Sequence, residues 1–118
     1  MVTAIQIRDE VLKHLSTIAR GQDPTLTYGD LAAKLGVNND LRRSKARLDS
    51  IAQWCAAATP PLPDITVIIK AKKTGYPSQI NGRYVGKRSL LTANDKAIAR
   101  ARLGDVIGKF CPGAINPY

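Results

Sequence analysis

The stretch Thr25–Val37, "TLTYGDLAAKLGV", sets how the rest of the chain is read. Thr27 is a helix N-cap residue, and Asp30 stands where a short capping box needs its acid. Leu31, Ala32 and Leu35 give an apolar stripe at helical spacing, and Gly36 ends the helix. The turn "GVNND" then leads directly into a basic helix, capped by Asn39 or Asp40 and running to about Ala57. Helix, tight turn and basic helix are the order of a helix-turn-helix.

Upstream, a first helix is predicted from about Ala4 to Ala19. Ile5, Val11, Leu12, Leu15, Ile18 and Ala19 lie along one side of it, and the turn "GQDP" ends it. On the basic helix, Leu41, Leu48, Ile51, Ala52 and Cys55 form the face predicted to be buried. Arg42, Arg43, Ala46, Asp49, Ser50 and Gln53 face the other way, with Arg47 and Trp54 at the flank. The prolines of "TPPLP" stop this helix. "DITVIIK", 64–70, is short and β-branched and is predicted as a strand, with "RYVGKRSLL" as its returning partner. Between them Gly75, Pro77 and Asn81-Gly82 are turn signals. Thr92 caps a last helix with Asp95 in its first turn; Ala99, Leu103, Val106, Ile107 and Phe110 share one face of it. Residues from about 111 to 118, "CPGAINPY", form an irregular tail. The expectation is a single α+β domain over 1–118: a winged helix-turn-helix of three N-terminal helices, a short β-hairpin as the wing and a C-terminal helix.

Eighteen Lys and Arg against nine Asp and Glu leave a net charge of +9, and the pI is about 9.9. Such a field favours polyanions and speeds encounter with them. Cys55 and Cys111 form neither a C-x-x-C motif nor, with the lone His14, a metal ligand set. No segment approaches the length of an apolar membrane span, and the start "MVTAIQIRDEV" lacks the regions of a signal peptide. A cytoplasmic protein without cofactor or metal is expected. No Ser-His-Asp set, acid pair or phosphate-cradling glycine loop is present to suggest an enzyme. His14 lies off the centre of the first helix's apolar stripe and reads as a surface residue.

The blocks Tyr28-Gly29-Asp30-Leu31-Ala32 through Leu35-Gly36, Leu62-Pro63-Asp64-Ile65 and Thr74-Gly75-Tyr76-Pro77 carry a resemblance. Together they resemble small bacterial and phage winged-helix proteins with the pattern Y-x-x-L-A-x-x-L-G, then L-P-x-L, an apolar strand and T-G-x-P. More distantly, Thr27-Tyr28-Gly29-Asp30-Leu31-Ala32 is similar to the DNA-binding domain of methylguanine-DNA methyltransferases and alkyltransferase-like proteins. In that family a recognition helix following this motif enters the minor groove. The family's reactive Pro-Cys-His-Arg motif is missing, since neither Cys55 nor Cys111 is followed by His-Arg. The resemblance therefore implies DNA binding without alkyl transfer.

Two basic groups are the predicted contacts. On the third helix these are Arg42, Arg43, Lys45 and Arg47, with Ser50 and Gln53 able to reach base edges. In the loop they are Lys70, Lys72, Lys73, Arg83, Lys87 and Arg88, with Tyr76 and Tyr84 interleaved as rings for a base or sugar. Tyr28, at the start of the second helix, is predicted either to reach a phosphate or to pack between helices. Trp54 is expected to close the core against the proline run. The expected function is a small basic, non-enzymatic protein that binds double-stranded DNA through helix 40–57 and loop 70–88. Two alternatives fit the same residues. One is a phage or mobile-element protein that binds a host nucleic-acid-processing or defence complex and inhibits or redirects it. The other is an RNA- or ribosome-associated protein.

Overall fold

Capping boxes start three of the four α-helices among the described residues. The computed structural model describes residues 2–37, 41 and 44–118. Helix α1, Ala4–Ser16, begins at Thr3: the Gln6 N–H donates to the Thr3 hydroxyl, and the Thr3 N–H donates to the Gln6 side chain. Its buried stripe is Ile7, Val11 and Leu15. Ile5, expected on that stripe, is 59% exposed; two residues before Ile7, it lies on the opposite side of a 3.6-residue helix. The helix stops at Ser16 rather than Ala19. The hydroxyls of Ser16 and Thr17 turn back onto the carbonyls of Lys13 and His14, a local competition that ends helices.

Helix α2, Tyr28–Lys34, carries the capping box read from the sequence. Asp30 N–H donates to Thr27 Oγ1 and Thr27 N–H to Asp30 Oδ2. Gly36 comes next with φ of 70°, a value that suits glycine. Helix α3 spans Lys45–Ala57, with Ile51 and Cys55 buried and Leu48 and Ala52 half-buried. The predicted caps Asn39 and Asp40, and Arg42 and Arg43, lie outside the described residues. Ser44 precedes α3 without a side-chain capping bond. Helix α4, Ala93–Phe110, has the same box as α2, built from Thr92 and Asp95. Its buried residues include Ala99, Leu103 and Val106.

The β part departs from expectation. "DITVIIK" is not a strand over 64–70: Ile65–Ile68 is a 3-10 turn, and only Ile69–Lys70 is extended, as β2. An apolar run of this length does not by itself distinguish strand from helix. Asp64 decides it, because its Oδ1 accepts both the N–H of Thr66 at 2.9 Å and the Thr66 hydroxyl at 2.6 Å. That capping bends the backbone before a ladder can form. Strand β2 does not pair with 83–91. It runs parallel to β1, Leu26–Thr27, with Leu26 opposite Ile69 and Thr27 opposite Lys70. The hairpin is a separate one. Strands β3, Gln79–Ile80, and β4, Arg83–Tyr84, pair antiparallel around Asn81-Gly82. Both turn residues have positive φ, 54° and 78°, as a type I′ turn requires. The architecture is mixed α+β, four helices with two small two-stranded sheets among the described residues.

The 3-10 turn sits at the centre of the core. Ile65 and Ile68 are fully buried and pack among α1, α3 and α4. Full burial of one such side chain contributes about 1.5–3 kcal/mol. The tail after α4 is irregular, as expected, yet it is well anchored. Tyr118 is buried, donates its hydroxyl to the Val67 carbonyl at 2.7 Å, and stacks on Tyr76 with centroids 5.1 Å apart. Arg100 donates to the Tyr118 carbonyl at 2.8 Å. No helix among the described residues is long and apolar enough to cross a membrane.

Candidate nucleic-acid interface

Three segments meet on one face: the first turns of α3, the loop after β2, and the β3–β4 hairpin. Between them lie two adjoining cavities of about 210 and about 290 Å³. Tyr28, Lys45, Leu48 and Gln79 line both. The smaller has mixed charge, with Asp49 and Asp64 facing Lys45 and Arg102. The larger is lined by Lys45, Lys72 and Lys73, and no carboxylate among the described residues lines it.

The predicted contact residues separate into two sets here. Lys72, Lys73 and Lys87 are exposed, and among the described residues none has a carboxylate partner. Lys45 is exposed but paired with Asp49 at 2.6 Å, one turn along α3. Arg88 is exposed while its Nε–H donates to the Lys73 carbonyl at 3.0 Å, which fixes the loop backbone beside the larger cavity.

Most of the others make contacts within the fold. Arg47 points toward α1 and donates to the Val2 carbonyl at 2.6 Å, 45 residues away. Lys70 lies 3.8 Å from Asp23. Arg83 donates to the Leu90 carbonyl at 3.2 Å and to the buried carboxylate of Asp95. Asp95 also accepts the Thr92 N–H and hydroxyl at 2.8 and 2.9 Å. The Thr92 N–H, with Arg83 adding to it, keeps the Asp95 carboxyl below the usual carboxylate range. Arg83 thus ties the hairpin to the start of α4. Tyr76 is half-buried against Tyr118 and has the Lys96 ammonium 5.7 Å from its ring centre. Tyr28 is buried with 8% exposure and lines the cavity floor. Ser50 donates to the Ala46 carbonyl, and Gln53 is exposed on the outer side of α3.

Tyr84 is the ring this face presents. It is 50% exposed on β4 and lines the larger cavity. The "NG" turn is the signal in the sequence that singles it out over Tyr76, because it fixes the register and so the residue just past the turn. Arg102 and Gln79, also at the cavities, carry no such signal in the sequence.

Two residues depart from their expected places. Trp54 does not close the core against the prolines; it is 38% exposed, with the Arg8 guanidinium 4.6 Å from its ring centre. A ring one residue from buried Cys55 points off the core axis of the helix, and a cation covers it instead. His14 is half-buried, not a free surface side chain, and its Nε2 donates to the Pro24 carbonyl at 2.9 Å. Both thiols are buried, and burial raises the pKa of Cys55 and of Cys111, opposite to what a reactive thiolate needs. No family model, curated protein or solved structure matches the chain.

Proposed function

We infer that this chain is a small non-enzymatic protein, related to winged helices, that binds double-stranded DNA mainly through phosphates. The observation that carries this reading is Lys72 and Lys73, exposed and without carboxylate partners among the described residues, lining one cavity with Lys45 from the first turn of α3; Lys87, next in sequence to the lining residue Gly86, is exposed as well. A net charge of +9 supplies the long-range attraction, and this face supplies contacts not consumed inside the fold. Three helices followed by a tight hairpin support the winged-helix relation, with the parallel β1–β2 pair in place of a larger sheet. Arg42 and Arg43, just before α3, belong to the proposed interface by their position in the sequence. The raised pKa values of both cysteines fit binding without alkyl transfer.

The test is fluorescence anisotropy of a labelled duplex at low salt, with a double-stranded RNA of the same sequence alongside. Micromolar binding to DNA supports the reading, and preferential binding to RNA replaces it with the RNA-associated alternative. A second reading, a host-protein partner, is favoured by one observation. Exposed Ile5 and half-exposed Trp54 lie on the α1–α3 side, away from the cavities. Absence of nucleic-acid binding at low salt, with a protein retained on the purified chain after nuclease treatment, would put that reading ahead.

A further inference from the structure

The larger cavity combines two chemistries that a duplex backbone alone does not require. One wall is cationic. Lys45 is paired with Asp49, and Lys72 and Lys73 are the lysines in the lining without a carboxylate partner among the described residues. The lining also holds an aromatic ring, Tyr84. The Tyr84 ring lies back over Gly86, so closely that a Cβ at Gly86 would stand 2.5 Å from the Tyr84 hydroxyl oxygen. Glycine at 86 is what lets the ring occupy that place. Gln79 and Ser78 also line the cavity, and an amide and a hydroxyl can read hydrogen-bonding edges. A volume of about 290 Å³ is at the lower edge of the range of small-molecule sites.

We propose that this cavity is a binding site for a single mononucleotide, its base against Tyr84 and its phosphate between Lys72 and Lys73. An inorganic anion would use the lysines but leave the ring idle. A neutral aromatic would use the ring but leave two cations unanswered. A nucleoside monophosphate uses both, and its base edge meets Gln79. The site stands whether or not the chain binds a duplex. If it does, the nucleotide and the duplex phosphates draw on the same two lysines, and the nucleotide is a competitor that weakens duplex binding.

The same base-plus-phosphate chemistry is offered by a free nucleotide and by an unpaired nucleotide within a strand. The experiment therefore titrates the full-length protein with AMP, dTMP, adenosine, inorganic phosphate and a five-residue thymidine oligonucleotide. Backbone amide NMR shifts and calorimetry are read together. The expected result is saturable shifts at Tyr84, Gly86, Lys72 and Lys73, with a mononucleotide bound at least tenfold more tightly than adenosine or phosphate. Binding confined to the oligonucleotide would overturn the free-nucleotide site. Tyr84→Ala should weaken AMP about tenfold, equivalent to about 1.4 kcal/mol. Tyr84→Phe should keep the affinity. Gly86→Ala meets only the far end of a flexible ring, so the variant should fold, displace Tyr84 and lose affinity like Tyr84→Ala. The double variant should be no weaker than Tyr84→Ala alone. Phosphate binding as tightly as AMP, or AMP affinity indifferent to Tyr84 and Gly86, would refute the proposal. AMP binding without any duplex binding would uphold this site and refute the DNA-binding reading.

Discussion

Duplex affinity should respond to salt through a small and identifiable set of side chains. Lys72, Lys73 and Lys87 have no carboxylate partner among the described residues, and Lys45 can exchange Asp49 for a phosphate at little cost because that pair is exposed. Four such contacts, with Arg42 and Arg43 of the proposed interface as two more, give a slope of log K against log salt of about −5.4. Replacing Lys72 and Lys73 together by alanine removes two of the six, and the slope should flatten to about −3.6. Both lysines are exposed loop residues, so the fold should tolerate the change. The control is Arg47→Ala, which removes one positive charge from a residue committed to the Val2 carbonyl. Its slope should stay that of the parent. Fluorescence anisotropy of a labelled duplex over a series of salt concentrations measures all three. A slope unchanged in the Lys72/Lys73 variant, or flattened as much by Arg47→Ala, would refute the assignment of this face.

Asp95 should make the fold acid-sensitive. Its folded pKa is lowered, so its contribution is present above the unfolded value of about 3.9 and is lost as pH falls through the folded pKa. Melting temperature followed from pH 7 to pH 2 should drop below about pH 4, and Asp95→Asn should flatten that part of the profile. Ile68→Ala empties the centre of the core and should cost about 2–5 kcal/mol in urea unfolding. Thr92→Ala removes the hydroxyl that caps α4 and should cost about 0.5–2 kcal/mol by the same measurement. Incubation with alkylguanine DNA should leave the intact mass unchanged; an adduct on Cys55 or Cys111 would contradict their protonated, buried state.

The features legible in the sequence are local ones. Thr27 with Asp30 and Thr92 with Asp95 announce two helices because a capping box is complete within four residues. The Asn81-Gly82 turn is legible as a turn, and its hairpin rests on the positive φ that both residues tolerate. The strand expected over 64–70 is not formed because composition measures burial, whereas Asp64 controls the backbone. Of the candidate interface, Lys72, Lys73 and Lys87 are legible as exposed charge. That Arg47, Lys70 and Arg83 are spent inside the fold is not, since Val2, Asp23 and Asp95 reach them only through the tertiary structure. Counting cations gives the charge available to a partner only after the internal claims on it are known.

The buried turn at Ile65–Ile68 makes the three N-terminal helices inseparable from the chain beyond them. A fragment ending near residue 60 would keep α1, α2 and α3 but lose the isoleucines they close around, and β1 would lose its only strand partner among the described residues. The helical half is therefore no module to be cut out and grafted. Residues far apart in sequence must meet before any helix has a core, a late and non-local step that raises the entropic cost of the folding nucleus. A chain emerging from the ribosome can start its helices early, but it cannot consolidate them until Ile68 has arrived.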